Sequence, residues 1–289
     1  MKTLYLIDVS GFIYRAYYAL PAVTRTDGAP IGAVLGFCSM MLKLRERICQ
    51  HSNNALWAGA FDVSRKNFRH EIDPSYKSNR KEVPEDLQHQ FSIIRQATTA
   101  FNCPIIEKAG FEADDIIATY SKITKTKGIR IVIISSDKDL MQLYDENTLI
   151  FNPVKEKWVT ENDILDKFGV HAEKVIEVQA LAGDPSDGII GIPGIGVKIA
   201  AELINKFGSL DLLLNNIHVI PQKKRRELLT KYANLAILAK KLVTLRSDIE
   251  IDFNEEKLEF PMKIDKETLS DFFEAQEFKN LLKRLNNLT

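Results

Sequence analysis

The sequence predicts an α/β fold, a mostly parallel central sheet flanked by helices, followed by a helical unit. Three apolar runs of strand length, rich in β-branched and aromatic residues, lie at residues 3–9, 55–62 and 129–136. Between them stand segments of helical periodicity at 32–49 and 86–99, and strands that alternate with helices build parallel sheets. From about Thr160 onward the character turns helical.

Further along the chain, short strands are expected at 104–107 and 148–152. Helices are expected at 161–168, 173–182, 197–207, 221–246 and 266–288. The change of character places a domain boundary near Lys167, with residues 1–166 as the α/β unit and 167–289 as the helical one.

Composition narrows the class. The 289 residues carry 39 Lys+Arg and 39 Asp+Glu, with 45% hydrophobic, which suits a folded chain and excludes a disordered tail or a fibrous repeat. The first apolar run stops at Asp8, and no later one reaches the ~18 uncharged residues of a membrane span. A soluble cytoplasmic protein with no membrane partner is expected. Cys38, Cys49 and Cys103 show no CxxC spacing and the five histidines form no HxxxH pair. That fits buried thiols in a reducing compartment better than disulfides or zinc.

Zero net charge hides local polarity. Residues 64–81 hold Arg65, Lys66, Arg69, Lys77, Arg80 and Lys81 against Glu71 and Asp73, a local charge of +4. Residues 222–246 hold eight bases, Lys223 and Lys224 among them, against Glu227 alone, a local charge of +7. Such stretches fit either a polyanion partner or solvated faces.

The acids are more informative. Asp8 and Asp62 end the first two strands and Asp137 follows the third. The carboxyl ends of parallel strands share one edge, so the three converge where such folds bind ligands. Compact clusters follow at Glu112-Ala113-Asp114-Asp115, Asp137-Lys138-Asp139 and Asp184-Pro185-Ser186-Asp187. Taken singly, each also fits a helix N-terminus or a turn. Taken together they repel, by about 4 kcal/mol for two charges ~4 Å apart at an effective dielectric of 20, and Lys138 is the one base interleaved with them. Oxygen-rich convergence of this kind suits a divalent cation, Mg²⁺ or Mn²⁺, with room for a pair.

Gly191-Ile192-Pro193-Gly194-Ile195-Gly196 opens a helix carrying Lys198 in its first turn. No strand leads into it and the third glycine of a dinucleotide fingerprint is missing. A glycine hairpin between helices suits either a plain connector or a sequence-independent grip on a nucleic-acid backbone.

These residues together resemble a family. The motifs are Leu6-Ile7-Asp8-Val9-Ser10-Gly11, Phe61-Asp62, Tyr76-Lys77-Ser78-Asn79-Arg80, Phe111-Glu112-Ala113-Asp114-Asp115, Ser136-Asp137-Lys138-Asp139-Leu140, Gly183-Asp184-Pro185-Ser186-Asp187 and the glycine hairpin. Through them the chain closely resembles, over nearly its whole length, the 5′-nuclease (5′-3′ exonuclease) domain of bacterial DNA polymerase I and its stand-alone relatives in the flap endonuclease superfamily. The resemblance implies a PIN-like nuclease fold with a helical arch at about 65–90 and a C-terminal helix-hairpin-helix (helix-three-turn-helix) unit. It implies that Asp8, Asp62, Glu112, Asp114, Asp115, Asp137, Asp139, Asp184 and Asp187 form the metal site, the last three on the side of a second ion. A K⁺ ion held by loop carbonyls near Ser186 would match relatives.

By the same resemblance, Lys77 and Arg80 stand at the arch base on the scissile phosphate, assisted by Arg15. Tyr76 is a candidate for stacking on a displaced base, or else a packing anchor. Arg69, Gly191, Gly194, Gly196, Lys198, Lys223 and Lys224 are implied DNA contacts. The implied activity is structure-selective 5′-3′ exonuclease and flap endonuclease cleavage in replication and repair. Its partners are DNA with 5′ flaps, nicks or RNA-primed ends, cut by a monomer in the bacterial cytoplasm, nucleoid-associated, alone or with a fused polymerase. Departures from the pattern are Val9 for a common glycine, Tyr18 for a frequent histidine, and Gly188 with Ile190 for asparagine and proline. Val9 beside Asp8 motivates the alternative, a non-catalytic branched-DNA binder of the same fold.

Overall fold

The structure is a computed structural model that describes residues 2–64 and 66–288. Arg65, counted above in the basic run and in the expected arch, lies outside the described residues. The chain runs β1 (Thr3–Asp8), α1 (Val9–Ala19), α2 (Gly32–His51), β2 (Ala55–Ala60), α3 (Phe68–Ile72), α4 (Glu85–Ala100), β3 (Ile105–Ile106), α5 (Ala113–Thr126) and β4 (Arg130–Ile134). It continues through β5 (Thr148–Asn152), β6 (Lys157–Trp158), α6 (Glu161–Phe168), α7 (Val175–Ala182), β7 (Gly183–Asp184), β8 (Ile189–Ile190) and α8 (Val197–Phe207). The remainder is α9 (Leu210–Asn215), α10 (Lys223–Lys231), α11 (Ala233–Val243), α12 (Lys266–Ala275) and α13 (Lys279–Asn287).

The main sheet has the order β3-β2-β1-β4-β5-β6, parallel except for β6, which pairs antiparallel with β5. Chain order reverses between β1 and β4. In open parallel sheets the crevice beyond that reversal is where ligands bind, and Asp8 ends one of the two strands that flank it. Both faces of the sheet are covered, which is why its strands read as almost unbroken apolar runs. Leu4, Leu6, Ile131 and Ile133 face a core that continues through Ile117 of α5 and into Leu181 of α7 and Ile204 of α8. On the other face, Ile7, Trp57 and Val132 pack with Phe37 of α2, Ile94 of α4 and Phe273 of α12.

Some expectations are corrected. Residues 66–90, within the expected arch, hold the five-residue α3, then turns, then the start of α4 at Glu85. The Asp73 carboxylate accepts from the Ser75 amide and hydroxyl, an Asx turn at Pro74, and Pro84 holds back the next helix. The helix expected at 221–246 is two, parted at Tyr232, and that at 266–288 is two, parted where Glu277 turns left-handed at φ 61°. The last two helices share the core of the sheet, Leu269 and Phe273 of α12 and Leu281 and Leu285 of α13 being in one cluster with Trp57. Just before them the Phe260 amide donates to the Ala55 carbonyl (3.0 Å) and Phe260 meets Trp57 edge-on at 4.9 Å.

Val9 causes no backbone strain, because it is the first residue of α1 and has no positive φ. Its side chain is buried over Gly59, where an added Cβ would stand 2.9 Å from Val9 Cγ2. No helix among the described residues is long and apolar enough to cross a membrane.

Phe273 is fully buried against Phe101, Phe272 and Phe278. Phe273→Ala should cost about 3–5 kcal/mol, read as a lowered urea midpoint of the main transition. A separate early transition would mean that the C-terminal helices are not part of the sheet's core.

Candidate metal centre and nucleic-acid interface

Four carboxylates meet beyond the carboxyl ends of β1, β2 and β4. Asp8 is the N-cap of α1 and accepts from the Gly11 amide (3.1 Å), while its other oxygen accepts from the Ser135 hydroxyl (2.7 Å). The Asp137 amide donates to the same hydroxyl (2.9 Å), so Ser135 ties the two acids across the crevice. Asp62 accepts from the Ser10 hydroxyl (2.6 Å) and from the Ala113 amide at the start of α5 (2.8 Å). Asp114 stands in the first turn of α5 and has no hydrogen bond or ion pair with another described residue.

The electrostatics follow from this crowding. Burial raises the pKa of Asp8, and the charges of Asp137 and Asp62 raise it further against the hydrogen bonds from Ser135 and Gly11. Asp114 is pushed well above the carboxylate range by burial and by Asp137 and Asp8, with only Lys77 offsetting among its main influences. Among the described residues no three His, Cys, Asp or Glu side chains already surround one ion position. The donor chemistry nevertheless fits a divalent cation: every group is a hard oxygen donor, and a positive ion removes the repulsion that unsettles the set.

Not all nine acids join this crevice. Asp115 is fully buried and both its oxygens are bound by the Arg69 guanidinium at 2.7 Å, with the Glu112 and Arg246 amides donating to the same carboxylate. Arg69 also donates to the carbonyls of Leu242 and Thr244, and it is 1% exposed. Its guanidinium is thus enclosed by protein partners, where the sequence led to an expected surface contact. Of the two readings expected for Tyr76 the structure fits the packing anchor: it is buried, with its hydroxyl between Glu112 (2.9 Å) and Asp187 (3.0 Å). Lys77 pairs with Glu112 and, at 3.6 Å, with Asp187, and Arg80 pairs with Asp187 at 2.6 Å. Burial lowers the Lys77 pKa, but these two acids outweigh it and hold the ammonium charged.

The second-ion side is split. Asp139 and Asp184 converge on the Lys138 ammonium, and the Gln179 amide donates to Asp139 at 2.6 Å. Burial and the neighbouring Asp137 raise the Asp139 pKa, whereas for Asp184 the hydrogen bonds from Lys138 and Ser186 outweigh burial and lower it. Asp187 instead faces Tyr76 and Arg80. Sequence reasoning missed Ser135, Ser10 and Gln179. A hydroxyl immediately after or within an acid-bearing strand end is the signal that points to the first two.

The hairpin lies on the adjacent surface. Gly194 is exposed with φ +81°, a conformation that favours glycine, while Gly196, Lys198, Lys223 and Lys224 are exposed. Gly191 is buried for a packing reason, since a Cβ there would stand 2.3 Å from the Ala182 carbonyl carbon. Arg15 is exposed on α1 without an ion pair to another described residue.

The family model described as the 5′-3′ exonuclease N-terminal resolvase-like domain matches residues 3–169, and that of the 5′-3′ exonuclease C-terminal SAM fold matches residues 170–266. The chain belongs to the 5′-3′ exonuclease family. A family relative named 5′-3′ exonuclease, from Aquifex aeolicus, is 34% identical over 100% of this chain and 96% of its own length. A DNA polymerase I of Rhizobium leguminosarum is 45% identical over 98% of this chain, and this chain spans 28% of that polypeptide. A bacteriophage T5 flap endonuclease, solved as a pseudo-enzyme-product complex with DNA and metal ions, shares the fold with a TM-score of 0.68 at 20% identity. The match covers 98% of this chain and 96% of that one.

Two stability measurements separate the two kinds of acid in this chain. Arg69→Ala strands a buried carboxylate and should destabilise the chain by about 3–5 kcal/mol, measured by thermal melting. An unchanged melting point would return Arg69 to the surface. Asp114→Asn removes an unpaired repelling charge and should stabilise the chain by about 0.5–2 kcal/mol in EDTA, measured by urea denaturation. A loss of stability there would contradict the repulsion.

Proposed function

We propose that this chain is a structure-selective 5′-nuclease that hydrolyses DNA phosphodiester bonds near single-strand/double-strand junctions with Mg²⁺ or Mn²⁺. The observation that carries the reading is the crevice at the strand reversal, where Asp8, Asp62, Asp114 and Asp137 repel one another and Asp114 lacks a partner among the described residues. These four would hold a divalent ion, and Asp139 with Asp184 a second if Lys138 withdraws. Bound ions supply activation of a water and stabilisation of charge on the leaving oxygen.

The chain's own residues hold that arrangement in place. Ser135, Ser10 and the Ala113 amide orient Asp8, Asp62 and Asp137, so little reorganisation is needed when substrate arrives. Lys77 and Arg80 are cations at the margin of the crevice, kept charged by Glu112 and Asp187. A substrate phosphate can replace those carboxylates as their partner, with Arg15 assisting. The Gly191–Gly196 hairpin with Lys198, and Lys223 with Lys224 on α10, would grip the duplex backbone without reading bases. Cleavage position is then set by shape, which suits 5′ flaps, nicks and RNA-primed ends. We place this activity in the cytoplasm beside the chromosome, as a monomer, in replication and repair. The non-catalytic alternative loses its motive, because Val9 packs without strain.

Asp137→Asn should lower kcat on a 5′-flap oligonucleotide by about 100-fold or more while flap affinity stays within a few-fold, and EDTA should abolish cutting by the unaltered chain. Full activity in EDTA, or a variant that cuts normally, would overturn the reading.

A further inference from the structure

The acids Asp139 and Asp184 already share a cation. The Lys138 ammonium donates to Asp139 Oδ1 at 3.1 Å and to Asp184 Oδ2, and the Gln179 amide nitrogen reaches the same two oxygens at 2.6 and 3.5 Å. Both donors thus sit where the two carboxylates turn toward each other. The acids themselves are fixed from behind. Asp184 Oδ1 accepts from the Ser186 amide at 3.0 Å and from the Ser186 hydroxyl. The Asp139 amide donates to Asp137 at 2.8 Å, which ties this pair to the strand-end acids. Lys138 is the loose member: its side chain is 31% exposed against 3% for Asp184.

Two observations say that this arrangement is incomplete. One ammonium balances half the charge of two carboxylates, whereas a divalent ion balances all of it. The second is Gln179, which is 3% exposed and whose carbonyl oxygen has no hydrogen-bond partner among the described residues. A buried acceptor left bare beside two acids is unfavourable. A half-turn about its last torsion exchanges the amide nitrogen and oxygen, and with the ammonium gone that oxygen joins the two carboxylates as a third hard donor. We infer that Lys138 is a resident stand-in for the second divalent ion: its ammonium holds Asp139 and Asp184 together in the free chain, and an ion enters that side only by displacing it. The inference rests on the proposed metal-dependent reading and adds to it the order of loading. Asp8, Asp62, Asp114 and Asp137, which form no ion pair with a described residue, fill first, and the Lys138 side fills second. A substrate phosphate that takes the freed ammonium as its partner eases the exchange, so DNA and the second ion favour each other's binding.

The test is Mn²⁺ binding to the DNA-free chain, followed by the loss of the free-ion electron paramagnetic resonance signal, which needs no turnover. The unaltered chain should take one ion tightly and a second weakly. Lys138→Met drops the charge and nearly keeps the length; it should tighten the second ion about ten-fold or more and leave the first within a few-fold. Lys138→Arg keeps the charge and should keep the second ion weak. Lys138→Gln gives the same comparison should the methionine variant fail to fold. A second ion that binds no tighter once the ammonium is gone overturns the inference, and so does one that binds as tightly beside arginine as beside methionine. If the unaltered chain takes no Mn²⁺, the metal-dependent reading itself fails. If it takes one tightly while the second ignores the residue at 138, only the stand-in fails.

Discussion

The buried pair of Arg69 and Asp115 is the joint on which the rest of the site depends. It joins α3, the first turn of α5 and the carbonyls of Leu242 and Thr244 at the end of α11, three segments far apart in the sequence. A guanidinium and a carboxylate in two parallel bonds tolerate little change of angle, so the start of α5 is held in one orientation. Asp114 is the next residue back along that turn, and it is thereby presented to the crevice with no donor of its own. Satisfied charge on one side of the helix start keeps unsatisfied charge in place on the other.

The same division runs through the whole site. A chain with equal numbers of acids and bases has distributed them unevenly. Arg69, Lys77 and Arg80 are spent on Glu112, Asp115 and Asp187, Lys138 on Asp139 and Asp184, and Asp8, Asp62, Asp114 and Asp137 form no ion pair with a described residue. Within the basic run, Arg69 and Lys77 are thus internal counterweights, while Lys66, Arg80 and Lys81 are exposed.

Much of this was legible in the sequence. The strands and their terminal acids could be read because a parallel strand buried on both faces is unbroken apolar sequence, and its polar end is abrupt. Residues 148–152, 161–168 and 197–207 fall where periodicity put them. What escaped depends on long-range pairing. Nothing near Arg69 announces that its partner lies 46 residues away, or that Tyr76 will be enclosed by two acids, so both read as surface groups. The two-residue strand β6 and the packing of α12 on the sheet are likewise set by tertiary contact, which leaves no local period to find. The long helices expected near the C-terminus were divided at Tyr232 and at 276–278, where no residue carries a glycine or proline signal.

The little ribbon of β7 and β8 has a mechanical consequence. Gly183 and Gly191 pass so close that a methyl group on either would collide with the other's backbone, and the ribbon carries Asp184 at one end while the glycine turn begins at the other. Six residues of covalently and sterically locked chain, 185–190, thus separate Asp184, beside Lys138, from the proposed grip on double-stranded nucleic acid. Under the proposed function, a rigid strut of that kind would act as a caliper, setting how many nucleotides lie between the point of grasp and the point of scission, whatever their identity.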